Sequence, residues 1–409
     1  MGKIITVFSH KGGVGKTTLV HNIGYILANK GLKVLLVDAD PQMNLTAAVA
    51  GFTDSVSYSE SGSAQWLQFL SNYPNLSSLL YLAANGKKVD LNFYSTTRIY
   101  EYKQKHNANA LGRKSIKPGD SIKFNDGGSV DLLSSSLGFS YVMQGEAQTS
   151  LPQMEFNLCN LVMNKTNSLV SGAMFNIHKA IRKLKDSYDY ILIDTPPSGG
   201  SMLNGVLFFS SDYFIVPVKP DFFSLQAIDG LFDVIRNWRE YLQPWCKTAM
   251  QDGFNFPTFL GVAPQMTKRF DVDGSRNAAH VKLWDGKINS SIIKFLKQYV
   301  FFTECTDIQK AEAWFKFLFP ESTPYIMREC CHFTGKLRDV AERAAIPVVF
   351  LNNAICDEMG ATGLYVETSK EDDANQWFLA YRSILAEYTY IAEGLLRIDD
   401  ANRNLSITG

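Results

Sequence analysis

The sequence has little of several features that mark other classes of protein. It contains six cysteines in 409 residues, with Cys330 and Cys331 as the only close pair, which predicts reduced, buried thiols rather than a disulfide framework. No run of about 18 apolar residues occurs, so no transmembrane helix is expected. Lys plus Arg and Asp plus Glu number 40 each. The formal charge is therefore zero, which argues against a whole-molecule electrostatic attraction to nucleic acid or to a membrane.

The composition is that of a well-packed globular protein. Hydrophobic residues make up 46% of the chain, aromatic residues 12% and charged residues 20%, which are ordinary proportions for a folded domain. The apolar run Ile4–Phe8 meets polar residues too soon to be the core of a signal peptide. We therefore expect a cytoplasmic protein that does not bind membranes.

The pattern of apolar residues predicts an α/β fold. Strands are indicated at Ile4–Phe8 and Lys33–Val37, with an amphipathic helix over Thr17–Asn29 between them. The later predicted elements are a helix at 177–184, strands at 190–193, 213–218 and 259–263, and a helix at 225–238. Strands that alternate with helices predict a mostly parallel twisted sheet with helices on both faces.

Two long stretches differ in character from this alternating pattern. Residues 52–128 are rich in Ser, Asn, Tyr and Gly, whereas residues 271–345 are helical in pattern and rich in aromatic residues. Both are far longer than the usual connection of about 4–6 residues, so they are interpreted as structured insertions. We expect one elaborated domain over residues 1–409, with insertions at about 52–128 and 271–345. Its core is then formed by residues 1–51, 129–270 and 346–400.

A glycine-rich segment joins the first strand to the first helix. It consists of Lys11, Gly12, Gly13, Val14, Gly15, Lys16, Thr17 and Thr18. Glycines let several backbone N–H groups approach one phosphate, and the helix N-terminus adds a partial positive charge. Lys16 would supply an ammonium group for the outer phosphates, and the Thr17 hydroxyl would ligate Mg²⁺. The general P-loop pattern places glycine where this chain has His10.

Aspartates end two of the predicted strands. Asp194 follows an apolar strand, which places it at the C-terminal edge of the sheet, where open α/β sheets bind nucleotides. There it would hold Mg²⁺ directly or through water. Asp38 and Asp40 come at the end of the second strand. Phosphoryl transfer depends mainly on positioning and charge neutralisation, so one carboxylate with two lysines and a metal is a sufficient set.

The second lysine of the loop, Lys11, separates it from ordinary P-loops. With Lys11 the loop resembles the deviant Walker A motif of the ParA/MinD group of ATPases, and of ParA in particular. Val37–Thr46 (VDADPQMNLT) is similar to the ParA-type switch I segment. Tyr190–Ser198 (YILIDTPPS) is similar to the Walker B strand and switch II of that group. The resemblance covers roughly residues 1–50 and 130–270.

This resemblance implies a P-loop ATPase that uses ATP and Mg²⁺. Lys11 would point outward and face solvent in a single chain; in a dimer it would cross the interface to phosphates held by the other subunit. Lys11, Lys16 and Asp40 then form the catalytic set. Asp40 would orient the attacking water, and Asp38 would support the Mg²⁺ shell or the loop. The metal set is then Thr17, Asp38 and Asp194. By the same resemblance, the adenine base would contact Pro264, Gln265 and Met266.

Two functions remain open at this level. The first is a partition or positioning ATPase that forms a nucleotide-sandwich homodimer, hydrolyses ATP slowly, binds DNA non-specifically and answers to an adaptor protein, ParB-like or other. The second is an ATP-dependent protein-interaction switch of a plasmid, phage or defence system, without DNA binding. A third reading, a metal-cluster reductase of the same superfamily, lacks suitably placed cysteines.

Charge patterning bears on the choice between these functions. Residues 87–123 hold nine Lys/Arg and three Asp/Glu with interleaved aromatics, which is typical either of a nucleic-acid contact or of a solvated basic surface. Residues 371–409 hold seven acids and three bases, which weakens both DNA and membrane binding there. Apolar residues from Trp377 to Ile398 step by four and three. They predict a helix of about 25 residues that docks on the sheet or on a partner helix.

Overall fold

The computed structural model describes most of the chain. The described residues are 1–50, 75–84, 94–95, 124, 127–135, 167–251, 256–267, 278–302, 308–331, 335–361, 364 and 376–405. Apart from Tyr94–Ser95, the basic stretch 87–123 lies outside the described residues, so the prediction of a DNA contact there is not addressed by the structure.

One sheet organises the described residues. Its strands are β1 Lys3–Val7, β2 Lys33–Asp38, β3 Tyr94–Ser95, β4 Ser129–Leu133, β5 Tyr190–Asp194, β6 Tyr213–Val218, β7 Thr258–Thr267 and β8 Cys330–Cys331. Their spatial order is β3-β4-β2-β5-β1-β6-β7-β8. The strands from β4 to β8 in this order run parallel, and β3 pairs antiparallel with β4.

Helices cover both faces of this sheet, and the predicted fold class is confirmed. In chain order they are α1 Lys16–Asn29, α2 Asn44–Ala50, α3 Leu76–Ala84, α4 Asn167–Lys183, α5 Met202–Phe209, α6 Phe222–Asp229, α7 Leu231–Tyr241, α8 Gln243–Gln251, α9 Ala278–Phe302, α10 Ile308–Leu318, α11 Gly335–Ala344, α12 Asn353–Glu358, α13 Gln376–Leu396 and α14 Ile398–Leu405. None of these helices is long and apolar enough to cross a membrane.

The central strands are apolar along their whole length because both faces are covered. Every residue of β5 is buried, as is all of β2 after Lys33. Parallel strands enclosed by helices have this continuous apolar pattern instead of an alternating one. The carboxyl ends of β1, β2 and β5 meet at one edge, where Val7, Asp38 and Asp194 are in register. This edge carries the polar residues discussed below.

Two helices differ from their predicted extent. The helix expected at 225–238 is divided at Gly230 into α6 and α7, because Gly230 ends α6 and lacks the side chain that would favour continuation. The helix expected at 177–184 begins ten residues earlier, at Asn167. Other predicted elements agree with the observed strands and helices to within a few residues at their ends, β7 being longer than expected.

The C-terminal helix α13 docks within the chain. Its apolar seam is buried against α1 and the residues around β8. Of the two predicted alternatives, docking within the same chain is therefore the one that is observed. The buried seam residues are Tyr381, Ile384, Tyr388, Ile391 and Leu395. The helix ends at Leu396, and α14 follows after Arg397.

The described aromatic residues of the stretch 271–345, predicted as an insertion, form part of the core. Trp314, Phe315, Phe319 and Tyr325 are buried, while Phe317 is partly exposed. Phe319 packs so closely on Gly394 of α13 that a Cβ atom at Gly394 would lie 2.0 Å from the Phe319 ring. The close approach of α13 to this segment therefore requires glycine at position 394.

Substitution of Gly394 tests this packing. Gly394→Ala should lower the free energy of unfolding by about 1–3 kcal/mol, because the buried Phe319 ring has to move. Gly286→Ala, in α9, is the matched control, since a Cβ there meets no atom within 4 Å. This control should be neutral or stabilising by about 0.4–1 kcal/mol. Urea unfolding measures both, and equal stabilities for the two variants would contradict the packing argument.

Candidate functional site

The loop between β1 and α1 has the backbone geometry of an anion-binding turn. Gly13 and Gly15 have positive φ angles of 67° and 87°, a region that glycine enters without a steric penalty. Gly15 is the N-cap of α1, and no side chain caps the helix there in the described structure. The N–H groups of the first turn therefore lack a side-chain acceptor, and a phosphate oxygen would supply one.

Lys16 folds back over this loop. Its side chain is largely buried, and its ammonium donates a hydrogen bond to the Lys11 carbonyl oxygen at 3.1 Å. Burial lowers the pKa of Lys16, whereas the negative charges of Asp194 and Asp40 act in the opposite direction. The ammonium is thus placed at the loop with one backbone contact to exchange for phosphate oxygens.

Asp194 and Thr17 face each other at the carboxyl end of β5. The Thr17 hydroxyl donates to Asp194 Oδ2 at 2.6 Å. The other carboxylate oxygen, Oδ1, is buried and has no hydrogen-bond partner among the described residues. A buried carboxylate oxygen without a donor is costly unless a cation satisfies it.

Asp38 and Asp40 lie beside this pair, and both accept hydrogen bonds from backbone N–H groups. Asp38 Oδ1 accepts the Asp40 N–H at 3.1 Å, and Oδ2 accepts both the N–H and the hydroxyl of Thr46 at 2.7 Å. Asp40 Oδ1 accepts the Gln42 N–H at 2.9 Å. Of the two roles predicted for Asp38, this geometry favours support of the loop, because both of its oxygens already accept hydrogen bonds.

The electrostatics at this edge favour a bound cation. Burial raises the pKa of Asp38 to about 7, and proximity to Asp40 adds to that effect against the hydrogen bonds from Thr46. Burial, followed by the charge of Asp38, also raises the pKa of Asp194 well above its ordinary value. A divalent ion would relieve this repulsion. The unpaired Asp194 oxygen, the Thr17 hydroxyl and the uncapped α1 N-terminus therefore fit Mg²⁺ and a nucleotide phosphate.

Lys11 occupies a position that the sequence did not predict. Instead of facing solvent, its ammonium binds both carboxylate oxygens of Asp221 and donates to Ser224 Oγ at 3.2 Å in the same chain. Burial alone would raise the pKa of Asp221, but the hydrogen bonds from Lys11 and from the Ser224 N–H lower it below its ordinary value. Lys11 is therefore held at the N-terminus of α6.

The residues expected at the adenine base lie at the end of β7. Gln265 is only 1% exposed, and its Oε1 accepts a hydrogen bond from the Tyr388 hydroxyl at 2.9 Å. Its side chain packs directly under Gly15, so its carbonyl oxygen is already engaged beneath the loop; a contact of Gln265 with the base stays a prediction. Pro264 is buried, and Met266 has a positive φ of 56°; base contact by these two stays a prediction.

The other residues of the loop, Gly12, Val14 and Thr18, contact or are covered by neighbouring parts of the chain. Gly12 approaches Pro197, with 3.8 Å from a Cβ built at Gly12 to the proline ring. Val14 is buried. The Thr18 carbonyl accepts a hydrogen bond from the Asn22 side chain at 2.7 Å.

Sequence reasoning missed three polar residues at this edge. Asp221 and Ser224 form an N-cap at α6, where Asp221 Oδ1 accepts the Ser224 N–H at 2.8 Å. The Asp-x-x-Ser spacing after an apolar strand is a recognisable signal for such a cap. Asn204 donates to the Pro196 and Ser198 carbonyls at 3.2 and 2.8 Å. It anchors the segment after Asp194, and no local pattern marks it.

Substitution of Thr46 tests the role of Asp38 in the loop. The Thr46 hydroxyl donates to Asp38 and accepts the Ser135 N–H at 3.1 Å. Thr46→Val therefore removes one of the two hydrogen bonds to Asp38 Oδ2 and the acceptor of the buried Ser135 N–H. It should lower the free energy of unfolding by about 1–3 kcal/mol. Thr46→Ser keeps both hydrogen bonds and should cost less. If chemical denaturation gives Thr46→Val wild-type stability, Asp38 does not depend on this contact.

Comparison with known proteins adds independent evidence. The family model AAA_31, an AAA domain, matches residues 2–89 and 142–247. An uncharacterized protein of Methanocaldococcus jannaschii is 25% identical over 241 residues, which are 58% of this chain and 66% of that protein. The probable plasmid-partitioning protein ParA of Thermus thermophilus is 26% identical over 242 residues, which are 59% and 52% of the two chains.

A third relative has the same extent of similarity. The sporulation initiation inhibitor protein Soj of Bacillus subtilis is 25% identical over 242 residues, 59% of this chain and 68% of that protein. The chain thus spans about half to two thirds of the length of the curated relatives it matches. The segments that the family model matches contain both the two-lysine loop and the strand that ends in Asp194, and the comparisons together support a ParA/MinD-type P-loop ATPase.

Proposed function

We propose that this protein binds Mg·ATP at the loop of residues 11–18 and hydrolyses it slowly to drive partition or positioning of DNA or a protein cargo. The observation that carries this proposal is the buried Asp194 oxygen that has no hydrogen-bond partner among the described residues, beside Thr17 and the uncapped N-terminus of α1. The name of the relative in Thermus thermophilus, a probable plasmid-partitioning protein, supports the choice of cargo.

Each residue of the site would have a separate role in phosphoryl transfer. Lys16 would move its ammonium from the Lys11 carbonyl to the outer phosphates, and the first-turn N–H groups of α1 would hold them in place. Thr17 and Asp194 would hold Mg²⁺, which neutralises charge on the phosphate oxygens when bound. Asp40 would orient the attacking water, with its carboxylate fixed by the Gln42 N–H. Pro264 and Met266 would contact the base.

Dimer formation would complete the site through Lys11. In the single chain Lys11 is bound to Asp221, so it must leave this carboxylate before it reaches phosphates of a second subunit. Phe222 and Phe223 follow Asp221 and are 57% and 67% exposed. A two-fold arrangement of two chains would cover these rings while each Lys11 meets the other triphosphate.

DNA binding separates the two functions that the sequence left open. The balanced net charge and the acidic residues 371–409 favour a protein-interaction switch without DNA, whereas the basic segment 87–123 and the partition relatives favour an ATPase that binds DNA non-specifically. We place partition or positioning first. Retention on arbitrary duplex that weakens steeply with salt would support it over the switch.

Two substitutions test the nucleotide chemistry. Lys16→Ala should weaken ATP binding by about 100-fold or more, because it removes the ammonium that contacts the phosphates within the same chain. Asp40→Ala should keep ATP affinity and lose hydrolysis. Calorimetric titration and a phosphate-release assay measure the two properties, and wild-type turnover by Asp40→Ala would exclude Asp40 as the water-positioning residue.

The dimer is tested in the hydrolysis-deficient background. Asp40→Ala with Mg·ATP should be dimeric by light scattering, and adding Lys11→Ala should return the mass to that of a monomer while ATP still binds. Asp221→Asn keeps an N-cap for α6 but removes the charge that holds Lys11. It should therefore shift dimer formation to lower protein concentration. A dimer that persists without Lys11 would rule out the contact between subunits.

A further inference from the structure

Gln265 and Tyr388 form a buried contact directly beneath the phosphate loop. Each residue is about 1% exposed, and the Tyr388 hydroxyl donates to Gln265 Oε1 at 2.9 Å. A Cβ atom built on Gly15 would lie 3.2 to 3.4 Å from Cβ, Cγ and Oε1 of Gln265. The C-terminal helix α13 thus contacts the end of β7, and the end of β7 in turn contacts the loop.

The hydrogen bond fixes which end of the Gln265 amide lies at the loop. Oε1 accepts from Tyr388, and Nε2 donates to the Pro264 carbonyl oxygen at 3.4 Å. A glutamine side chain has three rotatable bonds and a two-fold choice of amide orientation. Because Tyr388 belongs to a helix whose seam is buried along its length, the donor is held in place and selects one orientation.

Gly15 lies between this contact and the N-terminus of α1. It is the N-cap of α1, with φ 87° and ψ 22° and no side-chain cap, so its position decides where the first-turn N–H groups point. Its carbonyl oxygen accepts the Leu19 N–H at 2.9 Å, and the Gln265 side chain packs beneath its Cα atom. Small displacements of groups that contact a ligand cost much of their binding energy.

We propose that Tyr388 is a positioning residue for the phosphate loop, acting through Gln265, whose side chain supports Gly15. This inference rests on the proposed binding of nucleotide at the same loop. It gives the C-terminal helix a role in nucleotide affinity in addition to its role in the core. It also assigns Gln265 a place under the loop in place of a contact with the base.

Tyr388→Phe tests the proposal, with Tyr190→Phe as the matched control. Tyr190 is also buried, and its hydroxyl donates at 2.8 Å to the carbonyl oxygen of Leu395, at the C-terminal end of α13 and about two turns beyond Tyr388. Both variants lose one buried phenol hydroxyl, so similar falls in the midpoint of thermal unfolding are expected. Only Tyr388→Phe should weaken binding of a fluorescent ADP analogue, by roughly three- to tenfold.

A double-mutant cycle separates positioning from general loss of stability. Gln265→Leu removes the acceptor at similar volume and should weaken ADP binding as Tyr388→Phe does. Tyr388→Phe added to Gln265→Leu should then produce no further change, because the two act as one unit. Gln265→Leu also provides the affinity measurement if Tyr388→Phe does not fold.

The outcomes distinguish this inference from the proposed function. ADP is used because its binding does not depend on the dimer. If the wild-type protein does not bind ADP, the proposed function fails. If the wild-type protein binds ADP and Tyr388→Phe and Gln265→Leu bind it as tightly as Tyr190→Phe, the positioning role is wrong.

Discussion

The burial of Asp38 and Asp194 side by side at the end of an apolar sheet is the constraint on which the rest of the site depends. The two residues are in register on neighbouring strands. Burial raises both pKa values, and repulsion adds to this effect, from Asp40 at Asp38 and from Asp38 at Asp194. Thr46 donates two hydrogen bonds to Asp38, whereas one Asp194 oxygen has no donor within the part of the chain that the structure describes. The fold thus places carboxylate charge, which Mg²⁺ would neutralise, next to Lys16 and the α1 N-terminus, which would bind a phosphate.

The sheet edge and the loop could be predicted from the sequence because local patterns encode them. The apolar strands ending in Asp38 and Asp194 and the glycines at 13 and 15 identify the fold and the phosphate-facing groups. The partners of Lys11 and Gln265 could not be predicted in this way. Asp221 is 210 positions from Lys11 and Tyr388 is 123 positions from Gln265, so both contacts depend on how β6, β7 and α13 are arranged in space.

The contacts of Lys11 and Gln265 place both side chains differently from the positions that the sequence predicts. Lys11, expected in solvent, is held by an acid within its own chain, so its transfer to a second subunit is an exchange of one carboxylate for phosphate. Gln265, expected at the base, lies under Gly15 with Tyr388 behind it. The helix break at Gly230 and the end of α13 at Leu396 are similar cases, since a regular apolar pattern continues past a point where the backbone ends the helix.

In the proposed function, Asp194 is the carboxylate that holds Mg²⁺ at a nucleotide bound to this loop. Calorimetric titration of ADP, with and without Mg²⁺, into the wild-type protein and into Asp194→Asn tests this role. Mg²⁺ should tighten ADP binding by about tenfold or more in the wild type and have little effect in Asp194→Asn. The same enhancement by Mg²⁺ in both proteins would show that Asp194 does not hold the ion.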